Sequence, residues 1–489
     1  MINSKLIKSL KKLSEKELES FKSFVSSPYF NKNKDLVVFF DLIISEGLFE
    51  YPKETGLVVQ TGHALSRHDL SLRIGQSFKG RRLPDLMYGL TNLLEDFLAE
   101  EKYRQNVFQR KINLMSGVYE KDIDAMVNGV EQDLEMLHNR NTVRDADYLY
   151  ESFLVYAERD YSFRLLGKKS DDESLQGKSD QLDLFYLALK LKDTCEMLNR
   201  SRIVATQYRP KMMGLIVPYL EEHPELYGNN PAVQIYLYMY LMLTHQDHEK
   251  YFFMLKQLAD TNVQTFKEDE LRSIYGYVQN YCIRRINQGN SDFLNHLFGI
   301  YRYILDTGLF FGENKNMEWD FKNFVSISLR LKEYDFTLQM INTFKEQLPA
   351  NVRQNAYTYN LANYYYETAE YKKATRLLNS VEFTDIYYNL DSKTMLLKIY
   401  YKVEEEESFY ALVSSFGIYL RRNRLISKEN AELYKNLIRF AKKAFMLKTK
   451  LPYEKKNNYL RNVDLLKIGL EQTHNTANLN WLKSEVAAL

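Results

Sequence analysis

The sequence predicts an all-α fold, and three observations carry that expectation. Glycine (19) and proline (9) are scarce among the 489 residues, together about 6% against a usual ~12%. Leucine, lysine, glutamate and tyrosine are plentiful. Apolar residues recur at helical spacing along most of the chain. Folds rich in strands, or built on phosphate-binding loops, spend more glycine than this. Length alone allows two to four domains or one elongated repeat structure.

The elements follow in order. Ser14 and Glu17 have capping-box spacing, so a helix is expected to start there, with Leu18, Phe21, Phe24 and Val25 on one face. Pro28 ends it, because the residue before proline resists the α region. Asp35 can cap a second helix carrying Leu36, Phe39, Phe40, Ile43 and Ile44 and stopping at Gly47. Residues 1–50 thus read as an N-terminal helical module. Residues 51–166 read as an irregular helical region. It begins with glycine-bearing loops around a short helix at 66–78. A helix opened by Pro84 follows, then others near 120–138 and 145–165. Residues 167–181, "GKKSDDESLQGKSDQ", are polar and read as a linker.

Beyond the linker, residues 182–450 repeat a helical hairpin, beginning with helices near 182–200 and 210–222. Tyr251, Phe293, Tyr334, Tyr371 and Phe409 each open the second helix of a pair, at spacings of 42, 41, 37 and 38 residues. Residues 451–489 read as a C-terminal helical cap. In the 356–378 stretch, "AYTYNLANYYYETAEYKKATRLL", Tyr357, Leu361, Ala362 and Tyr365 are expected on the packing face of a first helix. Tyr371, Ala374, Leu377 and Leu378 are expected on that of the second. Small residues let two helices approach, and aromatic rings fill the space around them.

The Leu361-Ala362…Tyr365…Tyr371…Ala374 pattern resembles a tetratricopeptide repeat, well over 318–412, loosely over 182–317 and not at all over 1–165. Val325 and Thr337 stand where that family prefers small residues, and the spacing exceeds its usual repeat. The resemblance implies an irregular right-handed α-solenoid whose concave face binds a peptide or protein partner. Tyr359 and Tyr366 fall off the expected packing face and so are expected on that surface. Asn360 and Asn363 are expected there too. Some members clamp a peptide carboxylate with Lys and Asn on successive first helices, and Lys322 and Asn360 fall at suitable positions. Ser326 stands where a second Asn would be wanted.

Net charge is only +2, but it is uneven: between Arg421 and Lys467 there are 14 Lys/Arg and four Asp/Glu. Arg421, Arg422, Arg424, Lys442 and Lys443 lie among Tyr434, Phe440, Tyr453 and Tyr459. Cations interleaved with aromatics can bind nucleic acid by phosphate contact and base stacking. The alternative is a solvated outer face.

Catalytic and cofactor signatures are absent: no G-x-G-x-x-G, P-loop, G-x-S-x-G or H-E-x-x-H occurs. Glu135-x-x-His138 lacks the second copy a di-iron bundle needs. His245 and His248 flank Asp247 in a polar turn, a weak zinc pattern. Cys195 and Cys282 stand alone and fit a reducing compartment. No secretory signal or membrane span is legible. The expectation is a cytoplasmic, non-enzymatic scaffold without cofactor or metal, binding a protein partner. A nucleic-acid-associated regulator using the 421–461 stripe is the alternative.

Overall fold

The computed structural model describes residues 4–45, 83–165, 173–201, 207–309, 317–380, 386–450, 456–473 and 475–489. Among the described residues all regular structure is helical. The chain divides into two compact units, Met1–Tyr236 and Leu237–Leu489. The division falls inside a helix rather than at the expected linker. The expected helix at 66–78 lies outside the described residues.

In the first unit, α1 (Lys5–Leu10) is capped by the Ser4 hydroxyl. Next comes α2 (Glu15–Ser26), with both bonds of the Ser14/Glu17 capping box formed. It ends at Ser27, before Pro28. Then come α3 (Lys34–Ser45) and α4 (Leu83–Gln105). The cap of α3 is Asn33, whose Oδ1 accepts the Asp35 N–H at 3.2 Å. Asp35 itself sits in the first turn. Leu6, Ile7, Leu10, Phe21, Phe39, Phe40, Leu90 and Phe97 share one core. Phe21 meets Phe40 edge-on at 5.1 Å. α4, from beyond the expected end of the N-terminal module, therefore shares its core.

A second core joins α5 (Val107–Glu120), α6 (Asp124–Arg140) and α7 (Ala146–Leu165) through Ile112, Met115, Tyr119, Val130 and Leu134. Of the expected linker, residues 167–172 lie outside the described residues and 174–181 are helix: α8 runs Ser174–Arg200 and packs along α7. Its polar first half is one solvated face plus tertiary anchors. Lys178 Nζ reaches the buried Asp160 carboxylate at 3.0 Å. Gly177 lies against the Tyr156 ring so closely that a Cβ would overlap it. Then α9 (Met213–Glu222) and α10 (Pro224–Tyr227) lead into α11 (Pro231–Thr244).

The second unit begins with the end of α11 and with α12 (Lys250–Thr261), and continues as a succession of helix pairs. There follow α13 (Glu268–Asn287) with α14 (Phe293–Asp306), and α15 (Met317–Arg330) with α16 (Tyr334–Phe344). The last pairs are α17 (Ala350–Glu367) with α18 (Tyr371–Ser380), α19 (Ile386–Val403) with α20 (Glu406–Arg422), and α21 (Lys428–Lys450) with α22 (Lys456–Gln472). A final helix, α23 (Leu479–Ala487), follows. Phe293, Tyr334 and Tyr371 are the first residues of their helices, Tyr251 is the second, and Phe409 is the fourth. Ala362 and Ala374 are fully buried, as are Val325 and Thr337. The Thr337 hydroxyl is satisfied by the Glu333 carbonyl at 2.6 Å, which lets a polar residue stand in this core.

Four of the pair turns share one backbone device. Gly289, Lys332, Ala369 and Glu404 have φ of 99°, 64°, 60° and 58°. In each, the next residue donates back to the carbonyl five positions earlier: Asn290 to Arg285, Glu333 to Ser328, Glu370 to Tyr365 and Glu405 to Tyr400. This is a Schellman stop, which satisfies otherwise orphaned helix carbonyls. Three of the four use a side-chain-bearing residue where glycine is easiest.

First helices also touch first helices. α17 packs on α15 and α19 as well as on α16 and α18. It is therefore enclosed on several sides, and no single stripe describes its buried face. Tyr357, Leu361 and Tyr365, expected at the packing face, are half-buried. Ala356, Thr358, Tyr359, Asn360 and Ala362 are buried.

Candidate partner-binding face

The face where α15, α17 and α19 meet carries the sequence-predicted clamp, and its residues are already engaged with one another. Lys322 is only 14% exposed and pairs with Asp391. Its Nζ lies 5.1 Å from the Trp319 ring, 5.0 Å from Tyr359 and 5.1 Å from Tyr388. An ammonium over aromatic faces gains quadrupole attraction, and more when water is excluded. Lys322 thus joins three successive first helices instead of waiting for a ligand.

Two of the expected partner contacts need correction. Tyr359 is 7% exposed and Asn360 is 0% exposed. Tyr359 forms a wall of the lysine cage, and burial pushes its hydroxyl well up. Asn360 Nδ2 donates to the Ala356 carbonyl at 2.9 Å, while its Oδ1 is buried without a partner among the described residues. Neither can meet a partner. The cause is the enclosure of α17 described above. Asn363 and Tyr366 are half-buried and remain reachable. Tyr366 lies 6.0 Å from Tyr371, and burial raises its hydroxyl.

The other end of the face is built differently. Lys398 on α19 donates to Asn478 Oδ1 at 2.6 Å, and its Nζ sits 5.7 Å from the Trp481 ring. Trp481 meets Tyr401 edge-on at 5.4 Å. Leu482 and Val486 are buried, at 0% and 1% exposure. So α23, which packs on α21 and α22, also reaches over the side chains of α19. Burial lowers the Lys398 ammonium, opposed in part by Glu367 and Asp391. Burial, then Glu485 and other neighbours, push the Tyr401 hydroxyl up. That hydroxyl is buried without a hydrogen-bond partner among the described residues.

Trp319, Asp391, Tyr401, Asn478 and Trp481 escaped the sequence reading. One signal could have found two of them: the chain has only two tryptophans. Each lies beside a first-helix lysine on this face.

The basic stripe divides into cations and aromatics. Arg421, Arg422, Arg424, Lys442 and Lys443 are exposed. Phe440 and Tyr459 are buried at 3% and 5% exposure, and Tyr434 is half-buried. Tyr453 lies outside the described residues. Phosphate contact is open to these cations, whereas the buried rings have no face to offer a base.

In the first unit, a pocket of about 450 Å³ is lined by residues that include His138, Tyr148, Ser152 and Arg159. Ser152 Oγ lies 3.1 Å from His138 Nε2 and 2.9 Å from the Tyr148 carbonyl. The carbonyl can only accept, so it takes the serine proton and Nε2 becomes the donor. Nucleophile activation needs the reverse, with Nε2 accepting. His138 Nδ1 is buried without a partner among the described residues, so no hydrogen-bonding group backs the ring as a general base requires. Burial, then Arg144 and Arg159, lower the His138 imidazole and keep it neutral. Glu135 pairs with Arg159. Among the described residues no three His, Cys, Asp or Glu side chains converge as a metal site. No described helix is long and apolar enough to cross a membrane. Comparisons with protein-family models, with curated proteins and with solved structures find no match for this chain.

Proposed function

We propose that this chain is a non-enzymatic interaction scaffold that holds a helical segment of a protein partner against its first helices. One observation carries this reading: α19, on this same face, already receives such a segment, α23, through Trp481 and Asn478. The scaffold is read as an irregular right-handed α-solenoid of tetratricopeptide-like pairs. Supporting this are the aromatic openers, the buried Ala362 and Ala374, and the recurring left-handed turn residues. Binding is by surface complementarity on a preformed frame. The Lys322 cage fixes α15, α17 and α19 beforehand, so ordering costs fall mainly on the ligand. The two unbridged buried cysteines accord with a cytoplasmic setting.

The test is site-specific photo-cross-linking in the native cell. A photoreactive residue replaces Asn363 or Tyr387 on this face, or Arg376 on the exposed side of α18. Protein adducts at the first two positions, and none at Arg376, are expected. Equal adducts at all three positions, or none at any, would overturn the reading.

A further inference from the structure

The way α23 sits defines the chemistry of what the face accepts. Its side chains form two adjacent rows at i, i+4 spacing. Leu482 and Val486 point into the core, where both are buried. Trp481 and Glu485 form the other row. Trp481 lies against Tyr401 and Lys398, and Glu485 acts on both Tyr366 and Tyr401. Three positions before Trp481 comes Asn478, the acceptor for Lys398.

Two features make α23 an imperfect occupant. It offers a neutral amide to a half-buried ammonium, whereas the equivalent cation on α15, Lys322, receives the carboxylate of Asp391. The Tyr401 ring that it packs against also keeps a buried hydroxyl without a hydrogen-bond partner among the described residues. Its own start is strained, since Asn478 adopts φ of 51°. A charge-assisted bond is roughly twice as strong as a neutral one. A segment with a carboxylate at the Asn478 position would therefore hold the face better than the chain's own helix.

We infer that the partner is an acidic amphipathic helix with Asp or Glu three residues before an aromatic-Leu pair and Val four residues after that Leu, and that it displaces α23. This rests on the scaffold reading above and specifies the ligand for the same face. Held in cis, α23 has an effective concentration in the millimolar range typical of short tethers, so it screens out weak ligands. Only a segment with better chemistry at Lys398 passes.

The experiment uses the full chain and two fluorescein-labelled peptides, residues 475–489 as they stand and the same peptide with Asn478→Asp. Binding is read by anisotropy, and hydrogen exchange of α23 is followed on adding peptide. The Asp peptide is expected to bind about tenfold tighter than the Asn peptide, and to strip protection from the amides of 479–487. Lys398→Met should erase the difference between peptides. Opening the face with Leu482→Asp should tighten both peptides at least tenfold. Helicity by circular dichroism confirms that this variant stays folded, and the wild-type exchange arm answers the question if it does not. Equal binding of the two peptides would overturn the inference. So would α23 amides that exchange only with the whole unit, peptide or no peptide. Persistence of cross-links at Asn363 in either case would leave the scaffold reading standing while this inference falls.

Discussion

Lys322 and Lys398 stand on first helices of the same unit, each beside one of the chain's two tryptophans, and they are held in opposite ways. Lys322 has a carboxylate and three aromatic rings, all from α15, α17 and α19. Its tryptophan is three residues away on its own helix, so the contact forms as α15 forms. Lys398 has an amide and a ring, both brought by α23 from a distant part of the chain. The first arrangement belongs to the frame. The second depends on one nine-residue helix, too short to be stable alone. The same pair of residue types thus serves as a rivet in one place and as a latch in the other.

The strongest way to break that contrast is to truncate each lysine. Lys322→Ala strands Asp391 and empties the cage, and removing one partner of a largely buried pair typically costs about 3–5 kcal/mol. A loss near the lower figure is expected, since Asp391 is 32% exposed on its side chain. Lys398→Ala removes one hydrogen bond and one cation–π contact and should cost only about 1–2 kcal/mol. Urea unfolding of both variants, read at the same pH, gives the comparison. Equal losses would mean that α23 is as much a part of the frame as α19.

A second, smaller effect comes from pH. Burial lowers the Lys398 ammonium below its ordinary value. The folded chain therefore binds that proton less tightly than the unfolded chain does. The associated stabilisation is present above the unfolded lysine value of about 10.4 and is lost as pH falls through the folded value. Relative to Lys398→Met, the wild type is expected to gain stability between pH 8 and pH 10.5. Urea unfolding at the two pH values measures it. A flat difference would mean that the ammonium stays hydrated beneath α23 and that the latch is looser than its geometry.

Helix starts were legible where an aromatic stands at helical register: Phe293, Tyr334 and Tyr371 are first residues of second helices, while Tyr251 and Phe409 fall one and three residues inside theirs. What lies on the inner face was less legible. A one-face reading of α17 placed Tyr359 and Asn360 outward, but a helix with four neighbours buries both of its flanks. Asp391 is 69 residues from the lysine it pairs with, and Asn478 is 80 residues from Lys398, separations at which a single sequence carries no pairing signal. Residues 174–181 misled through composition: Ser, Lys, Asp and Gln suit a linker, yet there they are the wet side of a long helix anchored by Lys178. The pair turns were hidden too, because Lys332, Ala369 and Glu404 occupy a conformation usually marked by glycine.

Those turns supply the smallest test, and it bears on the rivet. Lys332 closes the α15/α16 turn and Ala369 the α17/α18 turn, and α15 and α17 both furnish the Lys322 cage. An L-residue at φ of about 60° costs roughly 1–2 kcal/mol from Cβ crowding, and glycine avoids that cost while losing more freedom on folding. The balance favours Lys332→Gly and Ala369→Gly by about 0.5–1 kcal/mol each, read as an increase in urea midpoint at constant slope. Gly289, at φ of 99° in the α13/α14 turn, is the natural precedent. The gain from the two substitutions should be additive, since the turns are separate structures, and it should be unchanged in a Lys398→Ala background. A larger gain in Lys398→Ala than in the wild type would mean that turn strain and the α23 latch are coupled. The frame and its occupant would then be one cooperative structure rather than two.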